Sequence, residues 1–371
     1  MKKKISILLA AACLAVLFTG CASSSPDGSA AETSAPETSA VEASVPETAT
    51  AAAPAETETG ESADVPDFAA GDETIVRVGG LKGPTTMGLV KLMDDSAAGT
   101  CANNYEFTMV TAADELTALV AGGKVDIALL PANVASTLYQ KTEGNVRVID
   151  INTLGVIYLV SSDTSIQTVD QLKGKTVYLP GKGTTPEYAL RYLIKKAGLT
   201  EEDVTLEFKS ESAEVVSILT ENPEAIGLLP QPFVTSALAQ SDSLSVIMDL
   251  TQVWDSFQTA ENPGRLVTGV TIVSKSFLEA HPDLVNTFLQ EHEMSVRFTG
   301  EDPETAAALI EQAGIVAKAQ LAQKALPYCN ITYIDGSDMK DVLGGYLNVL
   351  FEEEPASVGG QLPDDAFYYI P

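Results

Sequence analysis

The stretch that most constrains the fold is residues 176–198, TVYLPGKGTTPEYALRYLIKKAG, which has the pattern of a buried strand, a tight turn and a helix. Two glycines, the second of them Gly183, let the backbone bend and lie close to a ligand. Thr184 or Thr185 can act as the N-cap, and Glu187 would complete a Thr-x-x-Glu capping box from Thr184. The first turn of such a helix offers N–H groups that favour anions or strong hydrogen-bond acceptors.

A similar strand, turn and helix begin about a hundred residues earlier, where the turn reads KGPTT (82–86) in place of KGTTP (182–186). Two such units, each opening one half of the chain, indicate two lobes that point helix ends into one cleft. The alternative is that both turns are well-capped crossovers with no ligand.

The N-terminus has the pattern of an export signal. Lysines at 2–4 precede an apolar run over 5–18, which is shorter than the ~20 residues of a membrane-spanning helix and fits a signal-peptide core. The run ends in LFTGC, which resembles a bacterial lipobox and makes Cys21 the predicted site of lipidation by acyl chains such as palmitate. We therefore expect a signal peptide over 1–20 and a lipid anchor on the extracytoplasmic side of the cell membrane. The alternative is cleavage elsewhere, which would release a secreted protein.

Residues 21–73 have the composition of a tether. The stretch is almost entirely Ala, Ser, Thr, Pro, Glu and Asp, and it contains neither Lys nor Arg. Such a segment buries too little apolar surface to fold, so we expect an extended, self-repelling linker.

Charge and chemistry exclude several classes of protein. The chain has 22 Lys and Arg against 51 Asp and Glu, a formal net charge of −29, so nucleic acid is not an expected partner. Outside the signal region the cysteines are Cys101 and Cys329; they could form one disulfide, but the sequence does not show that they meet. The histidines are His281 and His292, and no set of three ligands for a catalytic zinc is visible. We expect no metal and no cofactor.

The remaining chain alternates strand-like and helical patterns, which predicts α/β lobes with mainly parallel sheets. We place the first lobe at 74–157 and 268–371, with helices in its C-terminal tail packing on it, and the second lobe at 158–267. The apolar run over 154–160 is predicted to cross between the lobes as one strand. Two crossings of one hinge are what a clamshell requires.

Ligands in open α/β sheets bind at the carboxyl ends of the strands, and this rule selects the candidate site. The candidate ligand-binding residues on the selected loops are Lys82, Thr85, Thr86, Asn133, Asn152, Gly183, Thr184, Thr185, Gln231 and Thr268. Their alternative roles are helix capping for the threonines and Asn133, and simple solvation for the lysine. Close backbone approach is expected at Gly269, and Trp254 could stack on a ligand ring or lie in the core.

Four segments carry a family resemblance: LKGPTTMGLVKLM, ADELTALVAGGKVDIALLPANVAS, LKGKTVYLPGKGTTPEYALRYL and EAIGLLPQPFV. The chain resembles the substrate-binding lipoproteins of bacterial ABC importers, in the branch of the nitrate, taurine, alkanesulfonate and thiamine-pyrimidine binders. The resemblance covers 74–371 and implies a periplasmic-binding-protein type II clamshell with two hinge crossings and a helical C-terminal tail. It also implies a monomer that works with a permease and an ATPase.

The sequence argues against an enzyme. It contains neither a GxxxxGK[ST] loop nor a GxSxG motif, and GKGTTP lacks the third glycine of a dinucleotide turn. A surface protein without a ligand, or an enzyme on the same fold, stays a minor alternative. The predicted ligand is a small sulfonate-like anion, because both turns offer hydroxyls, a lysine and a helix end. The competing prediction is a pyrimidine-like heterocycle held by Asn133, Gln231 and an aromatic ring.

Overall fold

The structure, a computed structural model, describes residues 74–259 and 264–371. The predicted signal peptide, the lipidation site at Cys21 and the tether over 21–73 lie outside these residues. None of the helices in the described ranges combines the length and apolarity needed to cross a bilayer.

The first sheet has six strands. Across the sheet they are β11 (Ile331–Ile334), β4 (Val146–Leu154), β10 (Val267–Ser274), β3 (Ile127–Pro131), β1 (Ile75–Leu81) and β2 (Asn104–Val110). Strand β1 is parallel to both β2 and β3, whereas β10 is antiparallel to β3 and β4. The sheet is therefore mixed rather than wholly parallel, because β10 enters it in reverse when the chain returns from the second sheet.

The second sheet has five strands. Across the sheet they are β7 (Thr205–Lys209), β6 (Thr176–Pro180), β8 (Ile226–Pro230), β5 (Ile157–Ser161) and β9 (Ser245–Asp249). Strand β6 is parallel to β7 and β8, and β5 runs antiparallel to β8 and β9. Two separate sheets with helices between their strands confirm the predicted α/β class.

The helices follow the strands in the expected alternation and then dominate the C-terminal part. Those of the first two thirds are α1 (Pro84–Met87), α2 (Val90–Ala98), α3 (Ala113–Ala121), α4 (Ala132–Lys141), α5 (Thr185–Lys196), α6 (Ser212–Glu221), α7 (Phe233–Gln240) and α8 (Leu250–Ser256). The remainder are α9 (Lys275–Ala280), α10 (Pro282–Glu301), α11 (Pro303–Gln312), α12 (Ala319–Ala325) and α13 (Gly336–Glu353). His281 is the N-cap of α10.

The crossing between the sheets is not the single strand predicted over 154–160. Strand β4 ends at Leu154 and β5 begins at Ile157, with Gly155 and Val156 between them. A Cβ atom on Gly155 would lie 2.2 Å from the Thr251 hydroxyl oxygen, so a glycine is needed where the chain leaves one sheet for the other.

The C-terminal tail contacts the second lobe in addition to the first lobe, on which the sequence places it. Tyr346 of α13 donates a hydrogen bond from its hydroxyl to Thr185 Oγ1 (3.3 Å), at the start of α5. Glu353 at the end of α13 forms an ion pair with Lys195 of α5 (2.6 Å). Helix α13 therefore bridges the two sheets on one side of the molecule.

Trp254 belongs to the core rather than to a ligand pocket. Its side chain is fully buried between Tyr192 and Tyr346, with ring centroids 4.4 and 5.6 Å away. Its indole N–H donates to Gly264 O (2.6 Å), so the polar end of the ring is satisfied inside the core.

Candidate functional site

A cleft of about 550 Å³ lies between the two sheets, where their strands end. Its wall includes the last residues of β1, β3, β6 and β8, as the strand-end rule predicts. The two turns that are alike in sequence both contribute to the lining. The first turn contributes Lys82, Gly83, Pro84 and Thr85, and the second contributes Gly181, Lys182, Thr184 and Thr185.

Two threonine hydroxyls in this wall are buried without a partner. Thr85 is 5% exposed and Thr268 is 7% exposed, and neither Oγ1 atom has a hydrogen-bond partner within the described residues. Burying an unpaired hydroxyl costs about 1–3 kcal/mol. Both line the cleft, so a bound molecule could satisfy them.

The side chains of Thr268 and Asn152 are directed by irregular pairing between β4 and β10. Val267 pairs with Leu154 and Gly269 with Thr153, which leaves Thr268 as an extra residue in β10. The next shift, between Gly269 and Val270, leaves Asn152 as an extra residue in β4. Such bulges re-aim side chains and are common beside binding sites.

Gly269 permits the close approach expected from the sequence. A Cβ atom there would lie 2.4 Å from Thr85 Cγ2 and 2.4 Å from Asn152 Oδ1. Thr85 can therefore pack directly against the β10 backbone, with its hydroxyl at the cleft.

The turn before α5 has the predicted N-cap but not the predicted capping box. Thr184 is the N-cap with extended backbone, and its hydroxyl donates to Gly181 O (2.5 Å) rather than accepting from the helix. The Glu187 carboxylate accepts from the Gly183 N–H (2.7 Å) and pairs with Arg191 Nε (2.9 Å). The box fails because Gly183, at φ 78°, turns its own N–H towards the carboxylate.

Two candidate residues from opposite lobes contact each other beside the cleft. Asn133 Nδ2, at the start of α4, donates to Gly183 O (3.0 Å) and to Ser357 O (3.2 Å). The Thr185 hydroxyl lies 3.5 Å from Asn133 Oδ1 and accepts from Tyr346. Asn133 does not line the cleft, whereas Thr185 does.

Three more candidates are held inside the protein instead of lining the cleft. The Thr86 hydroxyl donates to Leu81 O (2.6 Å), and Gln231 Oε1 accepts from the backbone N–H (3.2 Å) and the hydroxyl (2.9 Å) of Thr235. Asn152 Nδ2 donates to the hydroxyl of Thr271 (3.1 Å). The structure thus brings together Lys82, Thr85, Thr184, Thr185 and Thr268 at the cleft. As ligand contacts, all ten candidates stay predictions.

The local charge of the cleft opposes that of the whole chain. Lys82, Lys182 and Lys209 line it, against the carboxylates of Asp114 and Glu211. Lys82 and Lys182 are exposed at the rim, where their charge can attract an anion without a large desolvation cost. A chain with a formal net charge of −29 therefore has an excess of positive groups at this cleft.

The described residues contain neither a disulfide nor a three-residue group of possible metal ligands. Cys101 and Cys329 are both free thiols, so the disulfide that the sequence left open is not formed. In the described ranges, no group of three His, Cys, Asp or Glu side chains is arranged to hold a metal ion. The cleft lining described above contains neither Cys nor His.

Two α/β lobes around an interlobe cleft define the periplasmic-binding-protein fold, and similar solved structures share it. An ABC transporter structure from Parabacteroides distasonis has a TM-score of 0.65 and 25% identity, covering 80% of this chain and 99% of that chain. The aliphatic sulphonate binding protein SsuA of Escherichia coli has a TM-score of 0.63 and 17% identity, covering 81% and 93%. A Candida albicans protein described as having the generic periplasmic binding protein fold has a TM-score of 0.52 and 15% identity, covering 79% and 99%. The clamshell predicted from the sequence is confirmed.

Residues 106–306 match the model of the family described as NMT1/THI5 like, and they make up more than half of the chain. The chain belongs to the NMT1/THI5-like family, which confirms the resemblance seen in the sequence. The riboflavin-binding protein RibY of Chloroflexus aurantiacus is 24% identical over 197 residues, or 53% of this chain and 49% of that protein. The match spans about half the length of this curated relative.

Proposed function

We propose that this protein is an extracytoplasmic solute-binding protein of an ABC importer. It captures a small organic solute in the interlobe cleft and delivers it to a permease that an ATPase drives. The observation that carries this proposal is a pair of hydroxyls, Thr85 and Thr268, which are buried in the wall between the two lobes and have no partner in the part of the chain that the structure describes. Several proteins of the same fold are ABC-transporter or sulfonate-binding proteins, which supports the transport role.

The solute we propose is a sulfonate-like anion. A sulfonate presents three acceptor oxygens, and the cleft offers the hydroxyls of Thr85 and Thr268, the rim lysines and the N-terminal end of α5. Hydroxyl donors and a helix N-terminus stabilise a fixed negative charge better than a neutral molecule of the same size.

Binding acts by favouring the closed arrangement of the lobes. A ligand held by Thr85 and Thr268 on one side and by Lys182 and Thr184 on the other interacts with both lobes at once. It therefore lowers the free energy of the closed form more than that of the open form. The closed form is what the permease would recognise. No group in the described cleft lining is suited to act as a nucleophile with an adjacent histidine base, so we propose binding rather than catalysis.

The arrangement along the chain is part of this proposal. Lipidation at Cys21 would anchor the protein, and the tether over 21–73 would hold the binding lobes away from the membrane. The lobes would comprise 74–157 with 268–371, and 158–267, in a protein that acts as a monomer.

A heterocycle is the second candidate ligand, because the curated relative is a riboflavin-binding protein. Phe233 lines the cleft and could stack on a flat ring. The Asn133 amide and the Gln231 side-chain oxygen, expected to hold such a ring, are engaged in internal hydrogen bonds. The arrangement of polar groups therefore favours the anion.

The test is a thermal-shift screen with taurine, alkanesulfonates, nitrate, thiamine pyrimidines and riboflavin. A ligand at 100 times its dissociation constant adds about 2.7 kcal/mol to the free energy of unfolding, which gives a readable shift. We expect a sulfonate at this concentration to stabilise the wild type by that amount and Thr268→Val by at most about 1.4 kcal/mol, because binding at least about tenfold weaker leaves no more than ten times the dissociation constant. A response to riboflavin or pyrimidines alone would support the second candidate. No response to any compound would count against a binding role for the cleft.

A further inference from the structure

A chain of buried polar side chains runs through the first lobe beneath the cleft, outside its lining. His292 on α10 is fully buried, and its Nδ1 lies 3.2 Å from Asp150 Oδ2 on β4. The hydroxyl of Thr271 on β10 donates to Asp150 Oδ1 (2.7 Å). Asp150 and Thr271 are also completely inaccessible to solvent.

The chain continues towards the cleft through one amide. Asn152 Nδ2 donates to Thr271 Oγ1 (3.1 Å), and Asn152 Oδ1 lies 3.0 Å from the hydroxyl of Thr153. The single Thr271 proton is used towards Asp150, so its oxygen is left to accept from the amide. Asp150 therefore fixes which way the Asn152 amide faces, with Nδ2 towards Thr271 and Oδ1 towards the cleft wall.

The cleft wall rests on this amide. Asn152 Oδ1 and Thr85 Cγ2 both lie 2.4 Å from the point where a Cβ atom of Gly269 would be, so both side chains pack on the same face of that glycine. The Thr153 hydroxyl also lies 3.5 Å from the carbonyl of Pro84, the residue before Thr85. This run of polar side chains therefore ends at the turn of residues 82–86, which carries the Thr85 hydroxyl.

Stability alone does not account for this run of buried polar side chains. Burying an aspartate and a histidine costs free energy that apolar side chains of similar volume would avoid, and His292 Nε2 has no hydrogen-bond partner in the described residues. From Asp150 to Thr153, however, each side chain is hydrogen-bonded to the next, and such a connected run of buried polar groups holds its members in one geometry.

We propose that Asp150, Thr271 and His292 are positioning residues of the binding site, which set the direction of the Thr85 hydroxyl through Asn152. His292 holds Asp150 from the helix side, and Phe288 holds the imidazole, with ring centroids 5.3 Å apart. The consequence for ligand affinity rests on the proposed function, whereas the positioning itself can be measured without a ligand.

Hydrogen exchange of the full chain, read by mass spectrometry, tests this directly. Thr271→Val keeps the side-chain shape but breaks the link between Asp150 and Asn152, and Thr271→Ser keeps the hydroxyl. We expect residues 82–88 to exchange about fivefold faster or more in Thr271→Val, because the side-chain amide of Asn152 loses its acceptor, Thr271 Oγ1. Peptides of β6 and α5 should exchange at wild-type rates, and Thr271→Ser should restore protection of 82–88.

A matched control is Asp126→Asn, which alters another buried aspartate of the same sheet. Asp126 precedes β3, at the end of the sheet opposite the cleft, where it accepts from Arg77 Nε (2.8 Å). This variant should leave 82–88 protected. Unchanged protection of 82–88 in Thr271→Val, or faster exchange spread evenly over both lobes, would overturn the positioning role.

Taurine as a probe separates this inference from the proposed function. Faster exchange confined to 82–88, together with weaker taurine binding in Thr271→Val, supports both the positioning role and the sulfonate ligand. Local exposure in a protein whose wild type gives no response to taurine supports positioning and counts against the sulfonate ligand. Full taurine affinity in a variant with exposed 82–88 would overturn the claim that positioning serves the site.

Discussion

Replacing Gly269 by alanine would disturb the cleft at its most crowded point. The added Cβ would lie 2.4 Å from both Thr85 Cγ2 and Asn152 Oδ1, about 1 Å short of ordinary van der Waals contact. Neither neighbour can move freely, since Thr85 is 5% exposed and the Asn152 amide is bonded to Thr271 and Thr153. The variant must therefore displace Thr85, bend β10 or break the amide's hydrogen bonds.

Overpacking of this kind costs about 1–3 kcal/mol in the free energy of unfolding. For a folded region of this size, each kcal/mol lowers the melting temperature by roughly 1.5–2 °C. Urea unfolding should show a lower midpoint with an unchanged m-value, because the surface exposed on unfolding is the same. The response to a sulfonate should also be lost, because the Thr85 hydroxyl no longer has its position.

Gly83→Ala is the matched control for stability. Gly83 lies in the same cleft wall, its φ of 171° suits any residue, and a Cβ atom there would meet nothing within 4 Å. Its free energy of unfolding should stay within about 0.5 kcal/mol of wild type. If Gly269→Ala were as stable as Gly83→Ala and still responded to ligand, the packing argument would be refuted.

Three further changes have defined outcomes. Thr268→Val replaces a buried hydroxyl that has no partner among the described residues by a methyl group, so the melting temperature should stay equal or rise. Calorimetry should show at least about tenfold weaker ligand binding. A lower melting temperature would show that the hydroxyl has an internal partner. Burial raises the pKa of Glu291 above its usual 4.5, although Tyr105 donates a hydrogen bond to its carboxylate. The native state therefore binds more protons than the unfolded state, and stability falls as pH rises from 4.5 through the raised pKa. Glu291→Gln should flatten this fall in urea titrations at several pH values, and an unchanged slope would contradict it. Burial raises the pKa of the Cys101 and Cys329 thiols to about 12, so at pH 8 a thiol reagent should modify these two residues, read by peptide mass spectrometry, more than a hundredfold slower in the native than in the urea-unfolded protein. Rapid labelling of Cys101 and Cys329 in the native protein would exclude that burial.

Local patterns in the sequence predicted the elements around the site well. The strand, turn and helix over 176–198 appear as β6, the turn and α5, with Thr184 at the N-cap. Hydrophobic periodicity and turn chemistry act over a few residues, so they can be read from one chain. The capping box was wrong because Gly183, two residues before the helix, supplies a better-placed N–H to Glu187 than Thr184 does.

Contacts between distant residues could not be read in this way. Asn133 bonds to the carbonyl of Ser357, and Thr185 receives a hydrogen bond from Tyr346, in a tail whose sequence shows only that it is helical. The bulges that direct Thr268 and Asn152 arise from the pairing of two strands more than a hundred residues apart. A single sequence does not show which residues of two such distant strands lie opposite each other. The bulge at Thr268 and its hydroxyl without a partner in the described residues were therefore visible only in the structure.

Isothermal titration with the sulfonate that most raises the melting temperature tests the central claim most directly. The account predicts one binding site on the wild type. It also predicts at least about a hundredfold weaker binding by the double variant Thr85→Val and Thr268→Val, because two hydrogen bonds to a charged acceptor are lost. The double variant should unfold at or above the wild-type temperature, since neither hydroxyl has a hydrogen-bond partner among the described residues. Equal affinity in a correctly folded double variant would contradict the account, because the ligand would then bind without the two hydroxyls that define this cleft.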